Sequence, residues 1–464
     1  MKKRQIFLLV AFLFFAASLT GGCANRYGLN PNTPVTITMW HNYGGQMKDA
    51  ITSMVDDFNS SVGAEKGIIV NVTYVGSQST IHDKLVAAAN GDPGAPELPD
   101  ITTCYPKTAL ILKDKGRVVN LNDWFSKKEL SGYIPSFLEE GTFADGGLYV
   151  FPTAKSSEVL FLNQTEFDRF SSATGVSADS LSTFEGLAST AEAYYNWTDG
   201  LTPDIPNDGK AFFSIDSLYN FAQVGCAQLG ESFVSEENGL ATDSDAFQKV
   251  WNIYFDCAVK GYAAVMNPKD YGSSLMKTGG VVCSIGSTAG TAFYGNTVTY
   301  SDGTTESVTV ATLPYPVFDG GTPVVMQRGG GMCVTKSDET HEYAASIFLK
   351  WFTQAQNNLR FVSSTGYLPV STEAYGDGME QLIEDNRDTA IGNMLATATD
   401  MSADYEYYIP PVFDGVDALE SSFNAALIAE AGNAHRIYVS LLPSEGTDNA
   451  FLQASSGRLE NFMK

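Results

Sequence analysis

VTITMWHNYGGQMKDAITSMVDDFNSSVGAEKGIIVNVTYV, residues 35–75, carries the decision about the fold. Val35-Thr-Ile-Thr-Met-Trp40 alternates strictly between apolar and polar side chains, the pattern of a half-buried strand. His41-Asn-Tyr-Gly-Gly45 is a turn. Met47, Ala50, Ile51, Met54, Val55 and Phe58 then fall at i, i+3, i+4, i+7 spacing and make one apolar helix face. Ile68–Val75 is a second strand.

Outward from this stretch the alternation continues. Gly76-Ser77 leads into a helix carrying Ile81, Leu85 and Val86. Asp92-Pro93-Gly94-Ala95-Pro96 ends it, and Pro99-Asp100-Ile101-Thr102 opens a third strand. Strand–helix–strand–helix–strand predicts an α/β fold with a mainly parallel sheet. Further along, the patterns predict helices over Ser180–Tyr195 and Phe247–Val259, and a hairpin within Tyr300–Val310 around Asp302-Gly303. Ala344, Ile347, Phe348, Trp351, Phe352, Ala355 and Leu359 form one helical stripe that docks on a sheet. There is no internal repeat, which argues against a repetitive adhesive surface protein.

The amino terminus reads as an export signal. Lys2, Lys3 and Arg4 precede the uncharged apolar run Ile6–Ala17, which is short for a membrane span. Ser18-Leu19-Thr20-Gly21-Gly22-Cys23 follows and resembles a bacterial lipobox, although Thr20 stands where Leu is usual. Residues 1–22 are therefore expected to be a signal peptide. Residues 23–34 are expected to be a lipidated Cys23 and a polar tether.

The 464 residues carry 28 basic and 53 acidic side chains, a formal charge of −25. So acidic a chain, with no basic patch, is not a nucleic-acid binder. Beyond Cys23 the cysteines are Cys104, Cys226, Cys257, Cys283 and Cys333, with no CxxC pair to suggest zinc. Cys226 and Cys257 are a candidate disulfide whose geometry the sequence leaves open. His41, His82, His341 and His435 form no cluster, so no metal or other cofactor is expected. Acidic residues such as Asp145, Asp216 and Asp414 would be available to an exported glycosidase, but nothing marks two of them as a pair. No GxSxG, HExxH or P-loop motif is present, so no enzyme activity is expected.

Several segments, in order along the chain, resemble the family 1 extracellular solute-binding proteins, the carbohydrate-type receptors of bacterial ABC importers. They are Ile37-Thr-Met-Trp-His41 with Phe58-Asn59, Lys84-Leu-Val-Ala-Ala-Ala-Asn-Gly91 with Pro99-Asp100-Ile101, and Gly147-Leu-Tyr-Val-Phe-Pro152 with Glu158-Val-Leu-Phe-Leu-Asn163. Gly286-Ser-Thr-Ala-Gly290, Phe348-Leu-Lys-Trp351 and Thr365-Gly-Tyr-Leu-Pro-Val370 follow. The resemblance implies a two-lobed periplasmic-binding-protein-like fold of type II, with a ligand cleft between lobes joined by hinge strands. One lobe is expected over 35–152 plus 317–357, the other over 153–316 plus 358–464. The implied protein is a monomer anchored by lipid to the extracellular face of the bacterial membrane. It binds a sugar or oligosaccharide and delivers it to the permease subunits.

A sugar site needs flat rings for stacking and fixed hydrogen-bonding groups around them. Positions that match the family's cleft are Tyr43, Gly44, Gln78, Tyr105, Ser156, Ser157, Asp216, Tyr219, Ser287, Thr288, Gly330, Gly331 and Tyr367. Each has a plainer reading. A strand-end Tyr packs, Ser156 and Ser157 satisfy backbone, Asp216 caps a helix, and Gly329-Gly330-Gly331 is a turn. Glycerol-3-phosphate receptors share the TGYLP segment and form the alternative. Their acidic residue after the third strand and their late Arg have no counterpart in Thr103-Cys-Tyr-Pro-Lys107 or Tyr408-Ile-Pro-Pro-Val-Phe-Asp-Gly415. A neutral ligand is therefore expected.

Overall fold

The structure is a computed structural model that describes residues 27–267 and 270–462. The signal segment and Cys23 lie outside the described residues. Two compact units are present. The first takes the chain up to Thr153, with Gly330–Phe361 and Val370–Thr372; the second takes Ala154–Gly329, Val362–Pro369 and Glu373 onward. Each has its own central sheet. In chain order the strands of these sheets are β1 (Val35–His41), β2 (Ile68–Tyr74), β3 (Ile101–Cys104), β4 (Phe151–Pro152), β5 (Glu158–Asn163), β6 (Phe213–Ile215), β7 (Cys283–Ser287), β8 (Val310–Leu313) and β9 (Gly331–Val334).

In the first unit the sheet order is β2-β1-β3-β9-β4. β1 runs parallel to β2, from Val35 opposite Ile68 to His41 opposite Tyr74, and parallel to β3. β9 is antiparallel to both β3 and β4. The alternation read in β1 turns Ile37, Met39 and His41 inward. The helix Gln46–Ser60 buries Ile51, Met54, Val55 and Phe58. Phe58 meets Phe348 and Trp351 of the helix Glu339–Phe352 edge-on, with ring centroids 5.1 and 5.3 Å apart. The late apolar stripe therefore docks as its spacing implied. It is broken in two at Thr353, and a second helix runs over Ala355–Val362.

The second unit has sheet order β8-β5-β7-β6. β5 is antiparallel to β7 and β8, while β6 is parallel to β7. All six residues of β5 are buried, as expected of a strand covered on both faces. The core around it is aromatic, and Phe161 stacks on Tyr294 at 3.9 Å. The helix Val416–Ser455, interrupted where Gly446 turns left-handed, adds Phe423, Leu427, Ala431 and Ala434 to the same core.

The sequence expectations need several adjustments. The helix expected over Ser180–Tyr195 begins as a 3-10 turn and continues from Phe184 to Asp199, capped by Thr183. The helix expected over Phe247–Val259 contains one π turn, Asn252–Asp256. The hairpin pairs Thr297–Thr299 with Thr305–Ser307. Cys226 and Cys257 are not bridged: the five described cysteines are free and buried.

Residues 317–329, expected in the first lobe, belong to the second unit. The Gln228 amide binds the carbonyls of Pro316 (3.1 Å) and Val324 (2.9 Å), and its oxygen accepts from the Phe318 N–H at 2.9 Å. Val324–Met326 also pairs in parallel with Glu406–Tyr408. Residues 358–361 and 370–372 go with the first unit, where Asn358 holds the Thr153 carbonyl at 2.8 Å and accepts from Val370 N–H at 2.9 Å. The tether expected up to Pro34 also changes. From Tyr27 the chain lies on the first unit, with the Tyr27 ring 4.3 Å from Tyr343 and 5.2 Å from Trp124.

Candidate functional site

In open α/β sheets, ligands bind beyond the carboxyl ends of the parallel strands. In the first unit β1, β2 and β3 all end on one side, β4 ends there, and β9 starts there. This edge collects Tyr43, Gly44, Gln78, Tyr105, Gly330 and Gly331. They are not equivalent.

Tyr43 is only 7 % exposed. Its ring meets Phe361 edge-on at 5.4 Å and lies against His41 at 5.7 Å, and burial pushes its hydroxyl pKa far above the usual phenol range. Tyr43 therefore packs. Gly44 is half-buried beside the Tyr74 hydroxyl. Tyr74, which the sequence reading missed, is exposed, with the Lys48 ammonium 5.5 Å from its ring centre. Gln78 opens the helix Gln78–Asn90, and Ser77 caps it by accepting from the Thr80 N–H.

Tyr105 precedes the helix Pro106–Asp114, is half-buried, and makes no capping bond. Gly330 explains its position. A Cβ there would lie 2.7 Å from the Cys104 carbonyl oxygen and 3.3 Å from the Tyr105 ring; at Gly331 it would lie 2.1 Å from the Phe151 carbonyl oxygen. These glycines serve close strand packing. His41, at the end of β1, has its pKa lowered to about 4 by burial and then by Lys48. Its Nδ1 accepts from the Tyr43 N–H at 3.2 Å.

The second unit gathers more of the expected residues. Glu158 at the start of β5 pairs with Ser287 at the end of β7. Asp216 follows the last residue of β6, the strand parallel to β7. Thr288 donates its N–H to the Ser157 carbonyl at 2.9 Å, and its hydroxyl oxygen accepts from the Ser157 N–H at 3.3 Å. The late segment comes to the same place: a Cβ on Gly366, next to the half-buried Tyr367, would lie 2.7 Å from the Thr288 carbonyl oxygen. Ser287 caps the 3-10 turn Thr288–Phe293.

Other candidates take their plainer roles. Ser156 exchanges both backbone hydrogen bonds with Arg328, at 2.9 and 2.7 Å. The Ser157 hydroxyl donates to the Met326 carbonyl at 3.2 Å. Both serines are buried. Tyr219 is buried between Phe233 and Phe423. The helix Leu218–Gln228 is capped by Ser217, not by Asp216.

That leaves Asp216 available for something else. Its Oδ1 accepts from the Gly272 N–H at 2.7 Å, yet burial pushes its pKa up to about 6. Arg328 beside it lowers the pKa and Glu158 raises it. A Cβ on Gly286 would be 2.7 Å from Asp216 Oδ2, so the glycine in that loop makes room for the carboxylate. Glu158 Oε1 accepts from Arg328 Nη1 at 2.9 Å and from Asn220 Nδ2 at 2.8 Å. A cavity of about 80 Å³ adjoins Asp216, between Tyr254 and Asn424. Tyr271, directly before Gly272, is 65 % exposed, and Phe293, ending the turn that starts at Thr288, is 49 % exposed. Exposed rings on the segments that follow β7 and precede Gly272, with a partly desolvated carboxyl held by the Gly272 N–H, suit a polyhydroxyl ligand with apolar ring faces. Glu158, Asn220, Tyr271, Phe293 and Arg328, which stand on these segments, were not among the candidates that the sequence offered.

Among the described residues, no group of three or more His, Cys, Asp and Glu side chains is placed to hold a metal ion, and no helix is long and apolar enough to cross a membrane.

No curated protein matches the chain. Solved structures do. The cyclic alpha-maltosyl-1,6-maltose binding protein of Arthrobacter globiformis aligns over 92 % of this chain and 100 % of its own, at 20 % identity and TM-score 0.67. UgpB from Mycobacterium tuberculosis, in complex with glycerophosphocholine, aligns over 92 % and 98 %, at 18 % identity and TM-score 0.66. Maltose-bound MalE3 from T. maritima aligns over 92 % and 98 %, at 14 % identity and TM-score 0.65. At these identities the likeness establishes the fold, a two-lobed solute-binding architecture. Residues 53–386 match the family described as bacterial extracellular solute-binding protein. With most of its length inside that match, the chain belongs to the bacterial extracellular solute-binding proteins.

Proposed function

We propose that the protein is a receptor for a neutral sugar or oligosaccharide, which it hands intact to the permease of an ABC importer. The observation that carries this reading is the Asp216 edge of the second unit. A half-buried carboxylate with a raised pKa is kept there near Glu158, which holds Asn220, and the adjoining segments carry two exposed aromatic rings, Tyr271 and Phe293. Carboxylate oxygens accept from sugar hydroxyls, and the rings cover the apolar sugar faces. Tyr105, Gln78 and Tyr74 offer the same kind of surface on the first unit. Cys23 carries lipid and keeps the chain on the outer face of the membrane as a monomer. The protein performs no catalysis: it binds and releases.

Native mass spectrometry of protein purified from its own cells identifies the bound ligand, and calorimetry with maltooligosaccharides measures affinity. Asp216→Ala is expected to weaken sugar binding ~10–100-fold, the size of a lost hydrogen bond to a charged group. Unchanged affinity would remove Asp216 from the site. Bound sugar is expected back intact in stoichiometric amount, and turnover beyond one equivalent would contradict the receptor reading.

A phosphorylated polyol is the second reading, because Arg328 at this edge keeps about a third of its side chain exposed. Against it, the local cations are already engaged, Arg328 by Glu158 at 2.9 Å and Lys155 by the Gly329 carbonyl at 2.6 Å. Tight binding of glycerol-3-phosphate or glycerophosphocholine, with none of the neutral sugars, would reverse the assignment.

A further inference from the structure

Residues 27–34 do not hang between anchor and domain. The Tyr27, Trp124 and Tyr343 rings form a three-way contact at 4.3, 5.2 and 5.7 Å. The Trp124 indole N–H donates to Glu342 at 3.3 Å, and Glu342 also receives the Ser337 N–H at 3.3 Å and Lys336 at 3.5 Å. The clasp is thereby fixed to the start of the helix Glu339–Phe352. Farther on, the chain lies directly on Gly67, where a Cβ would come within 2.3 Å of the Asn30 carbonyl. It is folded back by Thr33 N–H to Asn30 C=O (3.0 Å) and enters β1 through Val35 N–H to Gly67 C=O (2.9 Å).

We propose that this segment is a docked strap that sets the stand-off of the first unit and turns its Tyr27 face toward an anionic lipid surface. The proposal rests on the reading that Cys23 carries lipid. Only Ala24, Asn25 and Arg26 separate Cys23 from the clasp. At ~3.3–3.6 Å per residue, four steps reach at most ~14 Å. Were the chain free to Pro34, twelve steps would reach ~43 Å.

At the shorter distance, less than two Debye lengths of ~8 Å, charge on the facing unit matters. The two units differ sharply. Residues 27–153, 330–361 and 370–372 hold 12 basic and 17 acidic side chains, net −5. The second unit holds 12 basic and 36 acidic ones, net −24. The strap therefore ties down the unit that a negative surface repels least. It is also a unit with cations near the strap, Lys66 beside Gly67 and Lys336 bound to Glu342.

The test uses full-length protein from its own membranes, reconstituted in phosphatidylcholine vesicles containing phosphatidylglycerol. A dye on Lys128→Cys, an exposed position in the short helix after Trp124, transfers energy to a headgroup acceptor. Tyr27→Ala is expected to release the strap, lengthen the reach about threefold and lower the transfer; Tyr27→Phe keeps the ring contact and the wild-type value. Amide exchange of residues 29–33 should be slow in the wild type and fast in Tyr27→Ala. Mass spectrometry of the mature amino terminus reports the lipid. A Cys23 without lipid overturns the anchor and with it this proposal. A lipidated Cys23 with equal transfer in wild type and Tyr27→Ala overturns the strap alone.

Discussion

Asp216 is held where its charge is costly. Its pKa rises from the ordinary 3.8 to about 6 because burial outweighs the Gly272 N–H and Arg328. Between those values the folded protein holds the proton more tightly than the unfolded chain, so this group makes stability fall as pH rises from about 4 to 6. Fully expressed at pH 7–8, the cost is at most ~3 kcal/mol. Asp216→Asn keeps an acceptor for Gly272 N–H and removes the charge. We expect it to melt a few degrees above the wild type at pH 8, to match it at pH 4, and to bind ligand more weakly. Equal melting temperatures at pH 8 would mean that the carboxylate is well solvated. His41 acts in the opposite sense. Its pKa is lowered from 6.5 to about 4, so its share of stability is complete above 6.5 and lost as pH falls through 4. Asp216→Asn leaves His41 in place, so its difference from the wild type isolates the Asp216 share. Asp216 was legible in the sequence because it follows a short apolar run and precedes a helix. Glu158 and Arg328 were not, since their contact spans 170 residues and Glu158 opens a strand that reads as core. Tyr43 looked like a ligand wall at a strand end, but nothing local announces Phe361 closing over it.

At the scale of elements, the parallel run β1–β2–β3 could be read from period alone, because alternation and i, i+3, i+4 spacing are local properties. The place of β9 could not. Gly331-Met-Cys-Val334 is a short buried run without period, and only the completed sheet puts it between β3 and β4. The π turn at Asn252–Asp256 was equally hidden, for the apolar face continues through it. Gly330, just before β9, and Gly331, its first residue, have different duties. A methyl group on Gly331 meets the Phe151 carbonyl oxygen at 2.1 Å, which lies inside the sheet. Gly331→Ala is therefore expected to cost ~1–3 kcal/mol, the range of overpacked cores, and to lower the melting temperature. A methyl group on Gly330 meets Cys104 O and the Tyr105 ring at 2.7 and 3.3 Å. Gly330→Ala should therefore move Tyr105 and weaken binding, with a smaller thermal loss. Calorimetric titration alongside thermal melts distinguishes these outcomes. If Gly330→Ala melts lower than Gly331→Ala and binds normally, Gly330 is a packing residue and Tyr105 stands outside the site.

For the whole molecule, the chain passes between its units after Thr153, Gly329, Phe361, Pro369 and Thr372. The first passage could be expected from the sequence; the second was misplaced because the long-range bonds of Gln228, not local pattern, retain residues 317–329. So interleaved a chain cannot be cut into working halves. Residues 27–153 alone lack β9, which separates β3 from β4, and residues 154–329 alone lack the helix that supplies Phe423 and Leu427 to their core. Ligand affinity must therefore be measured on the intact chain, where binding to the folded state raises stability by mass action, ~2.7 kcal/mol at a hundredfold excess over Kd. Stabilisation alone does not reveal whether one unit or both hold the ligand. A ligand that touches both favours whichever arrangement of the units lets both touch it, in proportion to its differential affinity. Small-angle scattering reads that shift directly. We expect the radius of gyration to fall on saturation with the sugar found by native mass spectrometry. Tyr105→Ala and Asp216→Ala, one residue from each unit, should each raise the ligand concentration at which it falls. Binding at full affinity with no change in scattering would place the whole site on one unit. Whichever of the two variants weakened binding would then name that unit.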